Sequence, residues 1–236
     1  MKARIKEKQE VAKGTLMVTF DLLGAEVDFK PGQFFYVTLP DVGHQDDKGL
    51  RRHITVVTSP NEKGVLGLAT RMRDSAFKRS LRDLPLGAEV DVEQPSGDFG
   101  LPDDTSRPLV FIAGGIGITV FRSMLLYVKE ERLSHRVVLV YSNRDRESTA
   151  FLDELQELEQ QIPGLRLVLT MTDDPDWEGE TRKVDAQFIK DQFGDDLGQF
   201  TFLIAGPPEM AQGVQQALAE AGVSEANVFV ERYSGY

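Results

Sequence analysis

The sequence predicts two domains: an antiparallel β-barrel over residues 1–104, then an α/β domain with a doubly wound parallel sheet over residues 105–236. Three observations predict it. Upstream of Asp104 the apolar residues fall in short β-rich runs separated by turn signals, the pattern of a small antiparallel barrel or sandwich. Downstream of Pro108 short apolar runs alternate with helical periodicity, the rhythm of a parallel sheet. Between them Leu101-Pro-Asp-Asp-Thr-Ser-Arg-Pro108 is polar and bracketed by prolines, as linkers are. With 236 residues, 41% of them apolar, the chain is long enough for two ordinary cores.

The elements follow in order. Strands are expected at Leu16–Phe20, Phe34–Leu39, His53–Val57, Val65–Thr70 and Ala88–Glu93, with turns at Lys30-Pro31-Gly32, Ser59-Pro60 and Pro95-Ser-Gly97. Ser75 and Ala76 precede the periodic Phe77, Leu81 and Leu84, so a helix starts there with Ser75 suited to cap it. In the second half a buried strand, Leu109–Ala113, breaks into Gly114-Gly115-Ile116-Gly117, and a helix follows around Phe121–Tyr127. Val137–Tyr141 is a strand and Phe151–Leu158 lies on a helix. Strands at Leu165–Thr170, Phe200–Ala205 and Val228–Val230 complete the sheet, with helical stretches before the last two.

Composition excludes several functions. No cysteine is present, which rules out disulfides, cysteine-held iron–sulfur clusters and zinc–thiolate sites within these residues. His44, His53 and His135 are too widely spaced to suggest a metal site. A net charge of −11 argues against nucleic-acid binding. The start, Met1-Lys-Ala-Arg-Ile-Lys-Glu-Lys, is too polar for a signal peptide and no run is long enough to span a membrane, so a cytoplasmic location is expected. Acidic runs at Glu154–Glu159, Asp173–Glu180 and Asp191–Asp196 read as solvated faces.

Two patterns point to phosphate. Strand, glycine turn and helix at Leu109–Tyr127 expose backbone N–H groups in front of a helix dipole. The dinucleotide fingerprint is incomplete, because its third glycine position is Val120. A second turn, Gly206-Pro207-Pro208-Glu-Met210, follows a second strand. Strand ends of an open α/β sheet are where ligands sit, which adds Tyr141-Ser142-Asn143-Arg144-Asp145-Arg146. Arg71, Arg73, Lys78, Arg79 and Arg82 crowd the helix start at Ser75, with Arg51 and Arg52 upstream. That basic segment also suits docking of an acidic protein partner.

These motifs, in this order, resemble the ferredoxin–NADP reductase-like flavoproteins over nearly the whole chain. Phe29-Lys-Pro-Gly-Gln-Phe34 is similar to the family's Pro-Gly-Gln strand entry, and Arg52-His53-Ile54-Thr55 before Thr58-Ser59-Pro60 to its Arg-x-Tyr-Ser flavin motif. Ser75-Ala76-Phe77-Lys78 resembles the turn that receives the flavin pyrophosphate. Gly115, Gly117, Ile118 and Thr119, with Gly206, Pro207, Pro208 and Met210, match its two nicotinamide-nucleotide loops. Glu231-Arg-Tyr233 resembles the terminal Glu-x-aromatic.

The resemblance implies FAD as cofactor and NADPH or NADH as cosubstrate. It implies that Arg52, His53, Ile54, Thr55, Thr70, Arg71, Ser75, Ala76 and Phe77 hold the flavin, with Arg52 on the pyrophosphate and Thr55 near the reactive N5. Ser142, Asn143 and Arg144 would take the adenosine end, leaning toward NADPH. Glu231 and one of Tyr233 and Tyr236 would serve catalysis, the aromatic by stacking on the flavin. The chain departs from the family at Ile54 (usually Tyr), Val120 (usually Pro) and Ala205 (usually Cys). The expected activity is hydride transfer between NAD(P)H and FAD, with electrons exchanged with a separate acceptor: a ferredoxin, a flavodoxin or an oxygenase component. Two alternatives stay open, a reductase of free flavin or small acceptors, and a flavin- or nucleotide-binding module without turnover.

Overall fold

The computed structural model describes residues 1–232. The first part is a six-stranded sheet of β1 (Lys2–Ala12), β2 (Thr15–Asp21), β3 (Phe34–Thr38), β4 (Arg51–Thr55), β5 (Val65–Arg71) and β6 (Glu89–Val92), with helix α1 (Ala76–Asp83) between the last two. Its order is β4-β3-β6-β1-β2-β5, and every neighbouring pair is antiparallel. The edges meet just beyond β4. There Val57 N–H donates to the Gly67 carbonyl at 2.9 Å and Gly67 N–H to Thr58 Oγ1 at 3.1 Å. This closes the sheet into a barrel-like layer whose edges are no longer free. Phe20, Phe35, Leu66 and Leu68 fill it, and α1 adds Phe77 and Leu81. Ser75 caps α1, its Oγ accepting from Lys78 N–H at 3.3 Å.

The second part is a parallel sheet of β7 (Leu109–Gly114), β8 (Val137–Asn143), β9 (Leu165–Met171), β10 (Thr201–Gly206) and β11 (Val228–Arg232). Its helices are α2 (Ile118–Glu130), α3 (Leu152–Gln161), α4 (Ala186–Phe193) and α5 (Pro208–Glu220). The order β11-β10-β7-β8-β9 puts the first strand in the middle, so the crossovers leave in opposite directions and a crevice opens between the ends of β7 and β10. Alternation along β7 feeds two cores. Leu109, Phe111 and Ala113 face α2 and α3, while Val110 and Ile112 face α4 and α5.

The two parts are joined through a shared core. Met17, Val57 and Ala69 of the barrel pack in one cluster with Phe111, Phe121 and Met124. Helix α2 donates from Arg122 Nη1 to the Val57 carbonyl and from Ser123 Oγ to the Thr58 carbonyl, both at 2.7 Å. The Pro31-Gly32 turn fits under this junction. Gly32 has φ +107°, and a Cβ there would overlap the Phe99 carbonyl and lie 2.8 Å from Met124 Cε.

The expected elements are present, with one addition. Strand β1, eleven residues long, was not expected, because only Ala3 and Ile5 among its residues are buried and the rest reads as a polar run. Its backbone ladder to β2 and β6, rather than side-chain burial, places it inside the sheet.

Candidate active site

Barrel strand β4 sends its side chains two ways. Arg52 and Ile54 share the face of their β3 partners Val37 and Phe35, and Ile54 packs on the barrel core. His53 and Thr55 take the opposite face, where the His53 ring lies 5.6 Å from both Phe34 and Tyr36. Strand alternation therefore does not bring all four motif residues onto one surface. The Arg52 guanidinium lies 5.5 Å from the centre of the Phe77 ring. Its Nη1 donates to the carbonyls of Lys48, Gly49 and Arg51 at 2.7, 3.0 and 2.7 Å. Its Nη2 is buried and makes no hydrogen bond, though it lies 3.9 Å from Asp46 Oδ1.

The start of α1 is strongly positive. Burial, then Arg73, Arg52 and Lys48, pull the Lys78 ammonium down to about 8. One carboxylate sits among these cations. Asp46 accepts from Ala76 N–H at 2.7 Å, and that bond holds its carboxyl below the ordinary range. An anion is thus already stabilised where the helix begins, and Arg52 Nη2 still wants an acceptor. The chemistry of the set fits a diphosphate. Asp46 and Lys48 carried no signal in sequence, because the loop before β4 matches no motif. Thr55 and Thr70 are both buried, Thr70 at the end of β5.

The second feature is a cleft of about 320 Å³ at the crevice between β7 and β10. Gly114, Gly115 and Ile116 line one wall, Gly206, Pro207, Pro208 and Met210 another, and Ser142, Asn143, Arg144 and Thr172 a third. Arg71 and Arg73 of the barrel complete it. Gly115 has φ +52°, and a short 3₁₀ turn, Gly115–Gly117, leads into α2. Met210 explains two glycines: a Cβ on Gly114 or Gly206 would come within 2.9 or 3.0 Å of its sulfur.

Gly117, Ile118 and Thr119 do not line the cleft. They are buried beneath the loop, where Thr119 Oγ1 donates to the Ile116 carbonyl at 3.0 Å and closes the turn. A Cβ on Gly117 would overlap the Ala205 carbonyl and lie 2.8 Å from Gly206 N. Its φ is −58°, so glycine is needed there for space and not for conformation. Asn143 is 6% exposed, and its side-chain amide lies beside the buried Tyr141 hydroxyl. Arg144 is exposed at the cleft rim.

Glu231 pairs in register with Ala205 beside the same crevice, and burial raises its carboxyl above the ordinary range. Tyr233 and Tyr236 lie outside the described residues. Among the described residues no group of side chains could hold a metal, and no helix is long and apolar enough to cross a membrane.

The cations of the basic segment have different surroundings. Arg79 is paired with Asp74, and Arg82 with Asp83 at 2.9 Å. Arg71 and Arg73 face the cleft, and Lys78 is partly buried. Two of these cations thus carry local carboxylate partners and two line the cleft.

Comparison with known proteins agrees with this geometry. The model of an oxidoreductase FAD-binding domain matches residues 2–100, and that of an oxidoreductase NAD-binding domain matches residues 111–216. The gamma subunit of sulfhydrogenase 1 from Pyrococcus furiosus is 29% identical over 86% of this chain and 67% of its own length. The reductase component of phenol 2-monooxygenase from a Pseudomonas species is 26% identical over 89% of this chain, which spans 59% of that protein. Among solved structures, the Amycolatopsis cytochrome P450 reductase GcoB superposes with a TM-score of 0.83 at 23% identity, covering 100% of this chain and 70% of that one. A cation-ringed helix start on a barrel, a glycine-walled cleft at a switch point and two matching domain models make one assignment: the chain belongs to the ferredoxin reductase-like family, and is an FAD-dependent NAD(P)H oxidoreductase.

Proposed function

We propose that this chain draws electrons from NAD(P)H bound in the β7–β10 cleft and passes them to a separate redox protein, such as an oxygenase component or a ferredoxin. The observation that carries the reading is the nearness of the two anion sites. Arg71 lines the nucleotide cleft, and four residues later Ser75 caps α1, a span of at most roughly 14 Å of chain. The 236 residues contain no cysteine, so a cysteine-held iron–sulfur relay would lie outside them. The domain division is proposed at 104/105, within the connection between β6 and β7.

FAD, when bound, supplies the exchange between a two-electron donor and acceptors of one or two electrons. The rest falls to the protein. Arg52, Lys78 and the Ala76 N–H hold the flavin diphosphate, with Asp46 giving up its bond to Ala76. Thr55 is proposed to hydrogen-bond the reacting edge, and Ile54 to pack against the ring. The Gly115 turn and Met210 orient the nucleotide, and the shared core keeps water from the junction. Glu231 holds a proton near the reacting atoms, its carboxyl being raised by burial.

Anaerobic titration of the yellow protein with NADH and NADPH in parallel tests this reading. Bleaching of the flavin band by either nucleotide is expected, and a flavin band left intact by both would refute it.

Flavin affinity should also depend on pH. Lys78 titrates at about 8 in the free protein because burial and three cations oppose its charge. A bound diphosphate raises that value, so a proton is taken up on binding above pH about 8. Affinity is expected to be flat below pH about 8 and to weaken by up to about tenfold per unit above it. Flavin fluorescence titrations across that range measure the slope, and Lys78→Met should bind more weakly and lose the slope. An unchanged slope in Lys78→Met would refute the assignment.

A further inference from the structure

We infer that Asp46 is a built-in competitor for the flavin diphosphate, carried on a strap of residues 41–47 that must let go of α1 before the cofactor enters. This rests on the flavin reading above and goes beyond it, because it gives the chain's own carboxylate a place in the same seat.

Three observations carry it. Asp46 stands where an anionic ligand of a helix start would stand. Its Oδ2 accepts from the N–H of Ala76, the first residue of α1, at 2.7 Å. Its Oδ1 accepts from Lys48 N–H at 2.9 Å and lies 3.9 Å from Arg52 Nη2. The carboxylate thus meets both the amide and the guanidinium proposed for the diphosphate, and two anions cannot share them.

The strap is also tied to the other end of the helix. His44 Nε2 lies 2.7 Å from Asp83 Oδ2, and Asp83 is the last residue of α1. Residues 41–47 therefore run beside the whole helix and are pinned at both ends of it.

Nothing apolar resists their release. From Pro40 to Gly49 no residue is buried, so polar contacts alone hold the segment. Its base stays fixed, because Leu39 N–H donates to the Leu50 carbonyl at 3.0 Å and Arg52 Nη1 keeps the Lys48 and Gly49 carbonyls. Movement is confined to the strap. The apparent flavin affinity is then the intrinsic affinity reduced by the fraction of chains in which Asp46 is seated.

The test is equilibrium dialysis of the full chain, approached from the FAD-loaded side, beside thermal unfolding with and without FAD. Asp46→Asn keeps the shape and removes the charge. It should bind FAD roughly 5- to 30-fold more tightly, and inorganic diphosphate should gain by a similar factor. Riboflavin, which has no phosphate, should bind as it does to wild type. Without FAD the variant should have a lower Tm, because α1 loses an anion at its start. With saturating FAD its Tm should equal or exceed that of wild type, whereas a merely structural carboxylate would lower Tm in both states. His44→Ala releases the far end of the strap and should speed FAD association.

FAD binding that is unaltered or weaker in Asp46→Asn would overturn the competitor while leaving the flavin reading intact. An equal gain for riboflavin would overturn its assignment to the diphosphate. An unchanged association rate in His44→Ala would overturn the strap. If the wild-type protein binds no FAD, the flavin reading falls and this inference with it.

Discussion

Gly117→Val is expected to abolish reduction by NAD(P)H and to lower Tm by roughly 6–12 °C, the equivalent of about 3 kcal/mol. Space drives this loss. Gly117 has an ordinary helical φ of −58°, but a side chain would be driven into the Ala205 carbonyl and the Gly206 amide at the end of β10. Those atoms are backbone in the middle of a parallel sheet and cannot swing aside. The start of α2 must therefore lift, taking the Gly115 turn and the cleft wall with it. Flavin should be retained at low temperature, because the barrel keeps its own core of Phe20, Phe35, Leu68 and Phe77. Gly213→Ala on α5 is the matched control. It has open space around it and should gain roughly 0.5–1 kcal/mol from helix propensity. Thermal unfolding and nucleotide titration of both variants check the pair, and a Gly117→Val protein with normal Tm and affinity would refute the packing argument.

Arg52→Ala is expected to weaken flavin binding by roughly 10- to 150-fold, corresponding to about 1.5–3 kcal/mol for a charge-assisted contact. Two effects add. The variant loses the cation whose buried Nη2 awaits an acceptor, and it frees the Lys48, Gly49 and Arg51 carbonyls that Nη1 holds. The loop that positions Asp46 against Ala76 is released with them. Arg52→Lys separates the contributions, since it restores charge but cannot reach three carbonyls and a diphosphate at once. It should recover only part of the affinity. Flavin-to-protein absorbance ratios after gel filtration measure the loss, and full retention by Arg52→Ala would refute the site.

Much of the architecture was legible because it rests on local chemistry. β-rich runs with turn signals, then strand–helix alternation, suffice for a barrel followed by a parallel sheet. Ser75 announced the start of α1 because a hydroxyl before an apolar period caps a helix whatever surrounds it. The glycine turns after β7 and β10 were visible for the same reason. Strand β1 was not, since its side chains are mostly polar and its place is set by ladders to β2 and β6.

What the amino-acid order determined by itself is thus the identity of the elements, the two phosphate-suited turns and the absence of cysteine chemistry. The tertiary structure decided which of those residues meet. It set Arg71 of the barrel against Asn143 at the cleft of the second sheet and Asp46 on the Ala76 amide. It also buried Gly117, Ile118 and Thr119 under the loop they help to form. The reason is physical. Turns and caps depend on the few residues around them, whereas a charge finds its partner across tens of residues of chain, and only the packed fold fixes that distance.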